Sequence, residues 1–213
     1  MKNKFILIAI LTFLISNLYS QGEWKLRKEK YGTQAYTRSH PDYSISEYKV
    51  EAEIEAEIAD IISIMTEESS YLRMFKDLKD LKFLEQRDDY FELYLVNKAP
   101  FPARDRDGYF ISQFSYEPKT QTARIDITCP NSEHHRKKYI EITRCQGFWQ
   151  FHQKENGIVE LTHQFIADPG GIVPAFILNM FLVNNPLTTV RDLKLLLEEG
   201  NYEKKEFDFL KGY

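Results

Sequence analysis

The sequence predicts an α+β protein in which a curved antiparallel sheet wraps around one long C-terminal helix. Three observations carry this reading. Between residues 24 and 167, short segments of alternating polarity follow one another across tight punctuation, the pattern of sequential antiparallel strands. From Pro174 the period changes, and apolar residues crowd nearly every position to Val183; a helix apolar almost all round must be buried. Aromatic residues are abundant, with 15 Phe and 13 Tyr among 213 residues, so the interior is large or something aromatic-lined lies inside it.

The elements follow in order. Lys2 and Lys4 precede the 11-residue run Phe5–Ile15, broken only by Thr12. This is the form of a secretory signal peptide over residues 1–20, cut near Ser20/Gln21, with an uncleaved anchor as the alternative. Residues 22–213 then form one domain, secreted or periplasmic. Trp24–Arg27 and Gln34–Arg38 flank the turn Tyr31-Gly32-Thr33, and Tyr43–Ile54 continues as a strand. Ile58, Ile61, Ile62 and Met65 fall on one helical face. Phe83–Val96 returns to alternation, followed by strands over Tyr109–Tyr116, Ala123–Cys129, Tyr139–Cys145, Gly147–Gln153 and Ile158–Ala167. Short turns between consecutive strands imply a meander. In the final helix Leu187, Val190, Leu193 and Leu197 share a stripe, and Pro186 should kink it, since proline removes a backbone donor and crowds the preceding turn.

Several function classes lose support here. Net charge is −4, without the basic footprint that nucleic-acid binding needs. Neither His-Glu-x-x-His nor Gly-x-Ser-x-Gly occurs. His134 and His135 stand beside Glu133, but adjacent strand residues point oppositely and Asn131, Ser132, Arg136 and Lys137 mark an exposed turn, so no metal or cofactor is expected. Two cysteines, Cys129 and Cys145, are too few for a cysteine-rich zinc site. In an oxidising compartment they either pair or remain free.

Four motifs in one order carry a resemblance. Asp168-Pro169-Gly170-Gly171 leads through Ile172-Val173-Pro174 into the long helix; Pro100-Phe101-Pro102 is followed by Arg104-Asp105-Arg106-Asp107; Gly147-Phe148-Trp149 opens a strand; Trp24 and Tyr36-Thr37-Arg38 mark the first two strands. Together they resemble the START lipid-transfer domain over about residues 22–200. The resemblance implies a helix-grip fold, an antiparallel sheet closing on a C-terminal helix over an apolar tunnel. It also implies a non-catalytic protein that binds a lipid, sterol or other apolar molecule. Exposing Phe176 and Phe181 near lipid would lower the cost of ligand exit, so transient contact with a membrane surface is expected.

Alternation and helix face give the tunnel candidates. They are Phe91, Leu93 and Leu95 on one strand, Ile125 and Ile127 on another, and Trp149 and Phe151 on a third. Leu161, His163 and Phe165 follow on the last strand, then Phe176, Met180 and Phe181 on the helix. Each is equally a candidate for plain core. His163, where the family usually has tyrosine, either holds a ligand head group or is a satisfied core histidine. Sterol-binding relatives carry an acid–base pair near the positions of Leu93 and Ser112; its absence here favours a fatty acyl ligand or another amphiphile over a sterol. Arg106 and Asp107 read as members of a solvated ion-pair cluster, with Arg106 as an alternative anchor for an anionic head group. Asp168, Pro169, Gly170 and Gly171 read as the turn into the helix. Two other classes stay open: a small cavity enzyme (cyclase- or hydrolase-like), which needs a paired acid and base inside, and a protein-interaction module, which needs a filled core.

Overall fold

Period-two alternation builds the sheet strand by strand. The computed structural model describes residues 22–211; the signal peptide expected over residues 1–20 lies outside the described residues. The strands are β1 (Lys25–Lys30), β2 (Thr33–Arg38), β3 (Glu47–Glu55), β4 (Leu78–Arg87), β5 (Tyr90–Asn97), β6 (Arg106–Glu117), β7 (Thr122–Thr128), β8 (Ile140–Glu141), β9 (Cys145–Gln153) and β10 (Ile158–Ala167). Their order is β1-β2-β3-β10-β9-β7-β6-β5-β4, antiparallel throughout, with the short β8 laid parallel on β6. The meander is therefore interrupted once, where β3 pairs with the last strand, β10. The result is an open, curved sheet with its concave face turned toward the C-terminal helix.

Two strand boundaries differ from the sequence reading. The single strand expected over Phe83–Val96 is a hairpin, β4 and β5, turning at Asp88-Asp89. No Gly or Pro marks that turn, so alternation runs through it. The Asp88 carboxylate accepts hydrogen bonds from the backbone N–H of Asp208 and Phe209 (3.0 and 2.9 Å) and anchors a C-terminal 3-10 turn, Asp208–Lys211. The strand expected over Tyr139–Cys145 shrinks to β8, because only Ile140 and Glu141 find partners, pairing in parallel with Arg106 and Asp107 at the start of β6.

Helix α1 (Ile58–Met65) buries Ile58, Ile61, Ile62 and Met65 as predicted. Gln153 of β9 supplies its cap, accepting from the Ile58 N–H (3.2 Å) and donating to Ala56 O (3.3 Å). Helix α2 (Glu68–Met74) follows at once and was not anticipated. It is only seven residues long, too short for periodicity to separate it from a loop.

The C-terminal helix runs as α3 (Ala175–Asn179), a π turn (Met180–Asn184) and α4 (Asn185–Glu199). The break expected at Pro186 takes the form of that π turn. The Asn185 N–H donates to Met180 O, five residues back, and the extra residue places Pro186 in the first turn of α4, where a missing N–H costs little. Gly200, at φ 62°, closes α4 in the left-handed region. Leu187, Val190, Leu193 and Leu196 are buried against the sheet and α1.

Gly170 has a specific backbone duty. It lies at φ +62°, and a Cβ there would stand 2.8 Å from Ile140 Cγ2. The Asp168 side chain accepts from its N–H at 3.0 Å.

Cys129 and Cys145 form a disulfide with Cα atoms 5.2 Å apart. It closes the excursion that carries β8 and the His134-His135 turn. Closing a loop of this length stabilises by about 3 kcal/mol. Urea denaturation should find a Cys129→Ser/Cys145→Ser variant less stable by about that amount, and the wild type should lose the same increment on reduction.

Candidate functional site

The concave face is only half covered by solid core. One strand-to-strand row divides it: His163 pairs with Trp149, Trp149 with Ile125, and Ile125 with Phe114. On one side, α1 and α4 press onto the sheet and Phe151, Leu161 and Val159 are fully buried among them. On the other side lies a pocket of about 250 Å3.

Leu93 and Leu95 of β5, Phe110 and Ser112 of β6, Ile127 of β7, Trp149 of β9 and Phe165 of β10 form its floor. Leu178, Phe181 and Leu182 of α3 and the π turn roof it, with Val173 just before them. Tyr71 and Phe75, stacked with centroids 4.5 Å apart, close one end together with Leu78. Gly147 makes room for Phe165: a Cβ there would lie 2.6 Å from the Phe165 ring.

Of the thirteen candidates, seven line this pocket: Leu93, Leu95, Ile127, Trp149, His163, Phe165 and Phe181. Phe91, Ile125, Phe151 and Leu161 sit in the core instead. Phe91 packs edge-on against Phe83 and Phe114. Met180 is half-buried outside the lining, and Phe176 is 60% exposed. Alternation gives the face of a strand but not the position along it, which decides between core and pocket. Ile45, Tyr48, Tyr71, Phe75, Phe110 and Ile142 also line it and were missed. For Tyr71 and Phe75 the signal was the i, i+4 aromatic spacing.

His163 is a fully satisfied histidine. Its Nδ1 lies 3.0 Å from Phe148 O, a pure acceptor, so Nδ1 carries the proton. Nε2 must then accept, and the Tyr48 hydroxyl donates to it at 2.7 Å. The imidazole stacks on Trp149 at 3.7 Å with planes 2° apart. Burial drives the His163 pKa down to about 3, only weakly opposed by the Phe148 carbonyl. Burial likewise raises the phenols of Tyr48 and Tyr71.

The expected cluster of Arg104, Asp105, Arg106 and Asp107 does not exist as such. Successive strand residues point apart, and each finds a different partner. Asp105 pairs with Lys79 at 2.6 Å. Arg104, exposed, donates to Lys138 O. Asp107 is completely buried and accepts from Tyr94 Oη (2.7 Å), His135 Nδ1 (2.9 Å) and the Arg136 N–H (2.8 Å), pinning the disulfide-closed excursion. Arg106 is 4% exposed, lines the pocket and donates from Nε to Pro169 O at 3.2 Å. Asp168, Pro169, Gly170 and Gly171 form the turn beside it, both glycines at φ +62°.

No family model matches the sequence. A sequence relative, an uncharacterised protein of Pseudomonas aeruginosa, is 23% identical over 192 residues, covering 90% of this chain and 95% of its own. Among solved structures, a StAR-related lipid transfer protein fragment from Xanthomonas axonopodis superposes with a TM-score of 0.74 at 24% identity, covering 82% of this chain and 98% of that one. Human StAR-related lipid transfer protein 5 gives 0.72 at 11% identity, covering 90% and 94%. The fold is the START helix-grip fold. The curved sheet is the grip and α3–α4 the held helix, with the pocket between them.

The His163 arrangement yields a pH prediction. The folded pKa lies below the unfolded value of 6.5, so between the two the unfolded chain binds the extra proton and stability falls as pH drops. Urea titrations near pH 7 and near pH 4.5 should differ by about 2 kcal/mol through this group. A His163→Phe variant should lose that part of the slope, even if it is less stable at both pH values.

Proposed function

We propose that this START-like protein binds a lipid or other apolar small molecule in the pocket, sequesters or carries it, and does no chemistry on it. The observation that carries this reading is a mostly apolar pocket between a rigid sheet and a helix broken by a π turn. Burying a chain there gains about 0.8 kcal/mol per methylene, so affinity follows from shape and area. The two structural neighbours described as StAR-related lipid transfer proteins support the same reading. His163, the group on which a cavity enzyme would centre, has both ring nitrogens engaged and is not available as an acid or base. A protein-interaction module with a filled core fits a pocket of this size poorly.

We place this activity outside the cytosol. The basic and apolar start of the sequence supports that placement, and so does the Cys129–Cys145 disulfide. Transient contact with a membrane completes the proposal. Ile172 is 95% and Phe176 60% exposed, and they flank Val173 of the pocket wall. Seated in a lipid surface, they would let the segment from Pro174 to Val183 part from the sheet without exposing new apolar area to water.

Native mass spectrometry of protein purified from its producing cells should show a bound small molecule at near-stoichiometric mass. A bare protein that also takes up no fluorescent fatty acid or sterol would sink the proposal. A Ser112→Phe variant, which fills the pocket from its floor, should bind at least roughly tenfold more weakly while keeping its circular dichroism spectrum. In a vesicle-to-vesicle transfer assay, Ile172→Glu/Phe176→Glu should slow transfer by roughly tenfold or more, the equivalent of one large side chain's burial, with equilibrium affinity retained.

A further inference from the structure

Arg106 is a buried cation in a mostly apolar wall, and among the described residues no carboxylate lies within ion-pair distance of it. A guanidinium has five N–H donors in a planar fork. Two are used, Nε on Pro169 O and one Nη1 hydrogen on Arg104 O. Nη2 has no protein acceptor among the described residues. The neighbouring charges do not neutralise it. Asp105 is held by Lys79 and Asp107 by Tyr94, His135 and the Arg136 N–H. Lys76, also on the pocket wall, is already paired with Asp192 at 2.9 Å. Asp77 lines the pocket too, and burial favours its neutral form. Burial disfavours the charge on Arg106 as well. Arginine cannot shed a proton as a histidine does, so the uncompensated charge persists. The natural complement of a buried guanidinium fork is an oxyanion, carboxylate or phosphate.

We propose that Arg106 is the head-group anchor, and that the ligand is a single-chain amphiphile ending in a carboxylate or a phosphate. This deepens the apolar-ligand reading above and rests on it. A single chain follows from size. A pocket of about 250 Å3 lies just under the range of roughly 300–1,000 Å3 usual for small-molecule sites, too small for a two-chain lipid. Pro169 O holds the guanidinium through Nε, while Leu93, Leu95 and Ile127 line the space that receives the chain.

The test is calorimetric titration of the full mature chain with dodecanoate and dodecyl phosphate, each below its micellar concentration, and dodecanol below its solubility limit. At least one anion should bind about tenfold or more tightly than the alcohol, and the tighter of the two names the head group. Arg106→Gln should erase that preference, weakening the favoured anion about tenfold more than it weakens dodecanol; Arg106→Lys should restore part of it. Should Arg106→Gln fail to fold, the comparison among the three ligands on the wild type decides alone. Dodecanol binding as tightly as both anions overturns the anchor and leaves the apolar pocket standing. If none of the three binds, the anchor falls, and the fluorescent fatty acid and sterol uptake assay decides separately whether the apolar-pocket reading beneath it stands.

Discussion

A curved ten-stranded sheet presents more apolar concave surface than one helix of ordinary width can cover. That mismatch governs the rest of the molecule. The helical segment from Ala175 to Glu199 is about 37 Å long at 1.5 Å per residue, but only its second half carries the regular stripe that packs tightly. Leu187, Val190, Leu193 and Leu196 of α4, with α1 beneath, consume one half of the concave face. The first half, with its π turn and bulky Phe181 and Leu182, stands over the sheet without filling it. The pocket is what remains.

Inside that space the same low dielectric acts oppositely on two cationic residue types. His163 escapes the cost of burial by staying neutral, and its tautomer is fixed by the Phe148 carbonyl and the Tyr48 hydroxyl. Stacked flat on Trp149, it becomes part of the wall. Arg106 has no neutral form to retreat to. Its backbone acceptors at Pro169 and Arg104 soften the cost without cancelling the charge. A position that looks polar in sequence can therefore be inert, and one that looks like surface decoration can be the chemically unfinished group.

Most of the architecture was legible in the sequence, because alternation and helical stripes are local. The strands flanking Tyr31-Gly32, the α1 stripe and the break near Pro186 all emerged from spacing. What failed had no local signature. Asp88-Asp89 turns a hairpin without glycine, and α2 is too short to show a period. The candidate site was legible by face only. Phe151 and Phe165 lie on the same side of the sheet, yet one is core and the other pocket, because α1 and α4 cover only one end. The charge run at Arg104–Asp107 misled for a similar reason: neighbours in sequence suggested neighbours in space, while strand geometry sent Arg106 and Asp107 to opposite faces.

The walls of the pocket differ in compliance. One flank is bounded by an excursion closed covalently through Cys129 and Cys145 and nailed down by three donors on a single buried carboxylate. The opposite wall is a short helical piece attached through a π turn. If a guest enters as proposed, the wall held by fewer cross-links is the one that would give way to it. On the proposed reading, bore and head-group chemistry are separable properties: substitutions in residues 175–184 would change how wide a guest is admitted, and substitutions on the disulfide-closed flank would change which end of it is held.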